Sequence, residues 1–166
     1  MTILLAQTEA EYQAAAMLFK AYQLFLGVDL CFQGFEQELQ QLPQMYGPPG
    51  GALLLAKEGE DFIGCVGLRT KGNKVGEMKR LFVTDGHKGK GTGKLLALAI
   101  IEKATEMGFE TLVLDTLEHL QPAMELYRNL GFSQISAYYQ NPLPEVVYWQ
   151  LALIENVGCH LGHTSI

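Results

Sequence analysis

The stretch Phe82–Leu96, FVTDGHKGKGTGKLL, sets four glycines and three lysines between an apolar strand and an apolar helix. A glycine-rich turn that opens a helix leaves the first backbone N–H groups unpaired and pointing outward, with the positive end of the helix dipole behind them. Glycines at 89, 91 and 93 let the main chain approach an anion closely, and Lys88, Lys90 and Lys94 add charge around it. The chemistry this suggests is phosphate binding; the plainer alternative is a tight turn kept soluble by lysines. Two common phosphate loops fail on spacing. For the G-x-x-x-x-G-K-[ST] loop, Gly86 to Gly91 has the interval, but Thr92 stands where the lysine belongs; for the G-x-G-x-x-G dinucleotide loop, Lys94 stands where the third glycine belongs. At the chain end, Cys159, His160 and His163 are metal-ligand types, but the segment is short, glycine-flanked and without a second cluster, so no metal site is expected there.

The elements that must hold this loop follow from periodicity. Ile3–Ala6 reads as a first strand, and Thr8-x-x-Glu11 has the capping-box spacing that opens a helix. Tyr12, Ala15, Ala16, Phe19 and Leu26 give that helix an apolar stripe, and Gly27 closes it. Phe32–Leu42 reads as a second, more polar helix, and Gln44–Gly51 as a turn cluster. Gly51–Gly59 and Asp61–Gly72 form a hairpin around Glu58-Gly59-Glu60, and Gly76–Val83 is a further strand. After the loop, Leu96, Ile100, Ala104 and Met107 mark one face of a long helix ending at Gly108, with Glu102, Lys103 and Glu106 on its wet side. Thr111–Thr116 is a buried strand, Gln121–Leu130 a helix ending at Gly131, and Val146–Leu153 a last strand. Helices interspersed with strands predict an α/β (α+β) fold with one mixed, mostly antiparallel central sheet and helices on both faces.

Composition limits the partners. A chain of 166 residues with 48% hydrophobic content buries a core of ordinary size, which predicts one domain over 1–155 with a tail over 156–166. A net charge of -6 argues against nucleic acid, which needs a broad positive field, so a basic loop in an acidic chain points to a small anionic ligand. No apolar run is long enough for a membrane span, and Cys31, Cys65 and Cys159 suit free thiols in a reducing compartment; a cytoplasmic protein is expected.

Lys88-Gly89-Lys90-Gly91-Thr92-Gly93 resembles the [QR]-x-x-G-x-[GA] loop of the GNAT superfamily of N-acetyltransferases, with lysine at the first position. The strand LVLDT and then Ala123-Met124-Glu125-Leu126-Tyr127-Arg128-Asn129-Leu130-Gly131-Phe132 resemble that family's A-x-x-L-Y-x-x-x-G-F block, so the likeness spans Glu77 to Phe132. The resemblance implies acetyl-CoA as co-substrate, its pyrophosphate cradled by the backbone of Lys88, Gly89, Lys90, Gly91, Thr92, Gly93 and Lys94. The pantetheine arm would lie along the strand at Leu81, Phe82 and Val83. It implies transfer of acetyl to a small-molecule or peptide amine by direct attack on the thioester, the oxyanion meeting a backbone N–H near Leu81 at a bulge. Homodimerisation is a family habit.

An alkylamine is mostly ammonium at neutral pH, with a pKa of about 10.4, so a base must take a proton before attack. By the resemblance Glu77 is that base, acting through water, although an acid at a strand start is as readily a surface group. Tyr127 corresponds to the tyrosine that protonates the departing thiolate; otherwise it is an interior tyrosine with a satisfied hydroxyl. Leu120 stands where many members have asparagine against the cofactor. Tyr138 and Tyr139, in a Y-x-x-N-P segment, border the acceptor pocket or simply pack. Glu36, Glu38 and the net negative charge would tolerate a cationic amine, unless that acidic helix is a solvated face. A non-catalytic acyl-CoA-binding regulatory module remains the alternative; it would keep the glycine loop and need neither Glu77 nor Tyr127.

Overall fold

The computed structural model describes residues 1–31 and 34–153. Strand β1 (Thr2–Leu5) leads into helix α1 (Glu9–Leu26), which starts where its capping box predicts. Thr8 Oγ1 accepts from the Glu11 N–H at 3.2 Å, the Glu11 carboxylate accepts from the Thr8 N–H at 2.9 Å, and Gly27 ends the helix at φ 66°. The single helix expected over 32–42 is instead a pair, α2 (Phe35–Gln40) and α3 (Leu42–Tyr46); Phe32 lies outside the described residues. Pro43 is the cause. Its ring lacks an N–H and crowds the residue before it, which suits the first turn of a new helix and not the interior of a continuing one. Gln44–Tyr46 are therefore helical, and the turn cluster contracts to residues 47–51.

Strands β2 (Ala52–Glu58) and β3 (Asp61–Gly72) form the expected hairpin, with Glu58 opposite Asp61. Strand β4 (Val75–Val83), helix α4 (Thr92–Glu106), strand β5 (Thr111–Leu117) and helix α5 (Gln121–Asn129) follow. The short strand β6 (Ser133–Ile135) carries no apolar alternation and escapes the sequence reading; it pairs with β7 (Val146–Ala152). The sheet runs β1-β2-β3-β4-β5-β7-β6, antiparallel throughout apart from β4 and β5.

Strand alternation gives the sheet two apolar faces, each covered by helices, as expected. On one, Val66, Leu68, Leu112 and Leu114 pack with Leu96, Ile100 and Ala104 of α4 and Met124 and Tyr127 of α5. On the other, Leu53, Leu55, Cys65 and Phe82 pack with Ala15, Leu18 and Phe19 of α1 and with Phe35, Leu42 and Tyr46. The expected boundary at residue 155 and the tail residues Cys159, His160 and His163 lie outside the described residues. Among the described residues no helix is long and apolar enough to cross a membrane.

Two irregularities matter for function. The parallel pairing of β4 with β5 covers only Val75 to Glu77 against Thr111 to Val113, although β4 runs on to Val83 and β5 to Leu117. The strands part there, opening the middle of the sheet. Strand β4 is also bulged: Gly67 faces Lys79 and Cys65 faces Phe82, so two steps on β3 meet three on β4, with Arg80 at φ 60°. The extra residue reverses the alternation. Met78 packs on the α4 side, and beyond the bulge so do Leu81 and Val83, while Phe82 turns to the α1 side.

Candidate active site

The gap between β4 and β5 holds a groove of about 400 Å³. Its walls come from both sides of the sheet: Leu81, Phe82 and Val83 of β4, Tyr22 and Phe25 of α1, and Ala123, Leu126 and Tyr127 of α5. Lys88, Gly89 and Gly93 close one end, so the structure joins most of the predicted cofactor residues to the predicted thiolate-protonating tyrosine in one cavity. Lys90, Gly91, Thr92 and Lys94 do not line it. They belong to the start of α4, where Gly91 is the N-cap at φ 85° and no side chain caps the helix. Its first N–H groups are left to a ligand, as an anion cradle requires. A Cβ on Gly89 or Gly91 would meet no atom within 4 Å, so positive φ (76° at Gly89) is what selects glycine there. Thr92 is buried, and its hydroxyl donates to Met1 Sδ at 3.4 Å, so it offers the cradle only its N–H. Lys88 is held between the Asp85 carboxylate at 2.7 Å and the Phe25 ring at 3.6 Å. Leu120 lines the groove with an apolar side chain.

Tyr127 is 6% exposed, and its ring packs against Phe132 and Trp149. Burial pushes its pKa well up, with the Tyr22 and Asp115 charges adding to the effect, so the phenol stays protonated at neutral pH.

Glu77 is placed differently. It lines neither the groove nor the smaller recess beside it, and it is 1% exposed. Its Oε1 accepts from Arg69 Nε at 2.7 Å across the β3–β4 register, its Oε2 accepts from the Tyr138 hydroxyl at 2.7 Å, and Lys71 and Lys79 stand 3.9 Å away. Burial works to raise the Glu77 pKa, but Lys79, Arg69 and the Tyr138 hydroxyl outweigh it and hold the carboxyl below its ordinary range.

That recess, of about 40 Å³, shares Tyr22 and Thr116 with the groove and is lined further by Lys79, Arg80, Asp115 and Asn141. Arg80 Nε donates to Glu38 at 3.0 Å, and the Tyr46 hydroxyl donates to the other Glu38 oxygen at 2.6 Å. Glu38, expected on an exposed acidic helix, is thus 2% exposed and joined to the bulge. Lys79 is pulled down to about 8, chiefly by burial and then by its neighbour Arg80. Tyr138 and Tyr139 spend their hydroxyls on acids of β4 and β5: Tyr138 on Glu77, and Tyr139 on Asp115 at 2.9 Å. Asn141 Nδ2 in turn donates to the Tyr139 oxygen at 2.8 Å. The two tyrosines brace the recess, and Asn141 is the member of their segment that faces it.

The splayed strands, the bulge and the uncapped glycine turn are what an acyl-CoA site needs, and the profile of the acetyltransferase (GNAT) family matches residues 16–132. The chain belongs to the GNAT family. This GNAT protein is 40% identical over 139 residues to an uncharacterized N-acetyltransferase of Schizosaccharomyces pombe, covering 82% of this chain and 85% of that one. Its fold is similar to that of a GNAT-family acetyltransferase from Staphylococcus aureus (TM-score 0.76, 20% identity, 92% of this chain and 100% of that one). It is also similar to a Bacillus subtilis acetyltransferase crystallised with CoA (TM-score 0.65, 22% identity, 92% and 98%). As a GNAT enzyme it is an acetyl-CoA-dependent N-acetyltransferase.

The sequence reading missed Tyr22, Phe25, Lys79, Arg80 and Asp115. A signal existed for some of them. Tyr22 falls on the three- and four-residue spacing of the α1 stripe between Phe19 and Leu26, Phe25 stands beside that stripe, and Lys79-Arg80 sets two adjacent charges in a strand, where alternation should have sent one of the two to a core.

Proposed function

We propose that this acetyltransferase works by direct attack, the amine and acetyl-CoA being bound together in the gap between β4 and β5. The observation that carries the reading is the groove itself, which sets Leu81–Val83, Gly89, Gly93 and Tyr127 around one space. The pyrophosphate lies on the N–H groups that open α4, within reach of the charge of Lys88, Lys90 and Lys94. The pantetheine arm follows β4, bringing the thioester to the bulge, where the backbone N–H near Leu81 meets the developing oxyanion. The amine nitrogen bonds to the acetyl carbon, the C–S bond breaks, Tyr127, kept protonated by burial, gives its proton to the sulfur, and the proton that the new amide nitrogen sheds restores the phenol.

Glu77 takes the ammonium proton through water, since its carboxylate is enclosed and both oxygens already accept hydrogen bonds. Its second contribution is to hold Arg69, Lys79 and Tyr138 in place. Location in the cytoplasm is part of the same proposal, supported by the free thiols of Cys31 and Cys65.

Isothermal titration with acetyl-CoA of the wild type and of Gly91→Asp tests the reading. The aspartate puts a negative side chain at a left-handed N-cap, in the space meant for phosphate. Binding by the wild type and none by a folded variant is expected; equal binding by both would place the phosphate elsewhere and sink the cradle.

A further inference from the structure

The groove and the recess lie end to end along β4. Leu81, Phe82 and Val83 line the first, and Met78, Lys79 and Arg80, the three residues before them, line the second. Two residues belong to both spaces, Tyr22 and Thr116. Thr116 is short and buried in β5, so the large side chain at the boundary is Tyr22. Its mount is firm. Phe19, one turn earlier on α1, is fully buried, and the Tyr22 and Phe82 rings pack with centroids 5.8 Å apart, while Phe25 packs on Phe82 at 6.0 Å. The Tyr22 hydroxyl has no hydrogen-bond partner among the described residues, so packing alone fixes the ring.

We propose that Tyr22 sets the length of the acyl group, its ring closing the groove behind an acetyl and excluding longer chains. This rests on the direct-attack reading, with the thioester at the bulge. When the pantetheine arm runs along β4 from Val83 and the thioester lies at Leu81, the acyl carbons continue towards Arg80, out of the groove and into the recess. The recess, of about 40 Å³, has room for about three groups of water size at roughly 10–15 Å³ each, and the attacking amine needs part of it. A methyl group can share that space, whereas a longer chain has to displace the Tyr22 ring. Leu26, Leu30 and Leu117 stand further along the recess, so an alkyl chain would meet aliphatic walls there. Bulk at Tyr22, rather than polarity beyond it, is what keeps such a chain out. Forcing methylenes into filled space strains side chains and backbone, which makes a packed aromatic wall an effective measure of length.

The test is isothermal titration of CoA, acetyl-CoA, butyryl-CoA and hexanoyl-CoA into the wild type, Tyr22→Phe, Tyr22→Leu and Tyr22→Ala. Each longer acyl-CoA is compared with acetyl-CoA on the same protein, so a change common to all CoA ligands cancels. In the wild type butyryl-CoA should bind roughly tenfold or more weakly than acetyl-CoA, and hexanoyl-CoA no better than butyryl-CoA. Tyr22→Phe should keep that ratio because it keeps the ring, and Tyr22→Leu and Tyr22→Ala should bring it to one or below. A wild type that binds butyryl-CoA as well as acetyl-CoA overturns the proposal, and so does a folded Tyr22→Leu or Tyr22→Ala that still discriminates. Loss of discrimination in Tyr22→Phe would assign it to the hydroxyl and overturn the proposal as well. If acetyl-CoA binds the wild type in any of these cases, the cofactor reading stands; if neither CoA nor acetyl-CoA binds it, the reading beneath the proposal falls too. Tyr22→Leu keeps an apolar side chain on the stripe of α1, so it decides the matter should Tyr22→Ala fail to fold.

Discussion

At the scale of single residues, Tyr127 and Glu77 differ in what they touch, and their variants should differ accordingly. Tyr127→Phe removes the proposed proton donor while leaving the ring packed on Phe132 and Trp149, so kcat should fall by about a hundredfold with acetyl-CoA affinity unchanged in titration. Glu77→Gln leaves Arg69 and Lys79 without their carboxylate, and removing one partner from a buried ion pair costs about 3–5 kcal/mol. Chemical denaturation should show that loss, and pH should reveal its origin. Because the folded pKa of Glu77 lies below its ordinary value of 4.5, its contribution is complete above that value and disappears as acid lowers the pH through the folded pKa. Melting temperatures of wild type and Glu77→Gln should therefore stay apart above about pH 5 and converge only as acid carries the carboxyl through its lowered folded pKa. The place of Tyr127 beside the groove was legible because it sits inside a contiguous motif. The environment of Glu77 was not: Arg69 reaches it across a strand pair and Tyr138 from 61 residues away, so a strand-start acid became a buried one.

At the scale of elements, contiguity again separates what could be read from what could not. The turn from β4 into α4 is one unbroken stretch, and its glycines and lysines suggest the proposed anion site by their order alone. The bulge at Arg80 was expected near Leu81 only through the family resemblance; the string GEMKRLFV does not show it, because whether alternation continues or slips depends on Gly67, Lys79 and Phe82 finding their partners on another strand. What holds the bulge is Glu38, 42 residues earlier, with Tyr46 as its second partner. The split of the expected helix at Pro43 belongs to this arrangement, since it lets α3 place Tyr46 over Gly67. A Cβ at Gly67 would stand 2.6 Å from Tyr46 Cε1, so Gly67→Ala must push the ring off the Glu38–Arg80 pair. A loss of about 1–3 kcal/mol is expected, measured by denaturant unfolding, together with a drop in kcat as the bulge loosens.

At the scale of the whole molecule, a basic turn on a chain of net charge -6 means that acetyl-CoA, itself an anion, is attracted locally and repelled globally. Raising salt from about 0.05 to about 0.5 M shortens the Debye length to a few ångströms, and the exposed lysines at 90 and 94 should then count for little. Titration across that range should show affinity falling severalfold, with a shallower slope in a Lys90→Gln, Lys94→Gln variant. The order of the elements and their one mixed sheet were readable because apolar periodicity sorts strands from helices, while helices on both faces were implied by the family resemblance. The opening in that sheet was not, because nothing in the composition of β4 or β5 marks where their pairing stops. An interrupted sheet usually invites another chain to add itself along the exposed backbone. Here the unpaired stretch faces inward, between α1 and α5, and in the proposed binding mode the pantetheine arm enters there and serves as the absent neighbour. Cofactor loading then amounts to finishing the fold, and the amides of residues 78–83 should exchange with deuterium markedly more slowly once acetyl-CoA is bound.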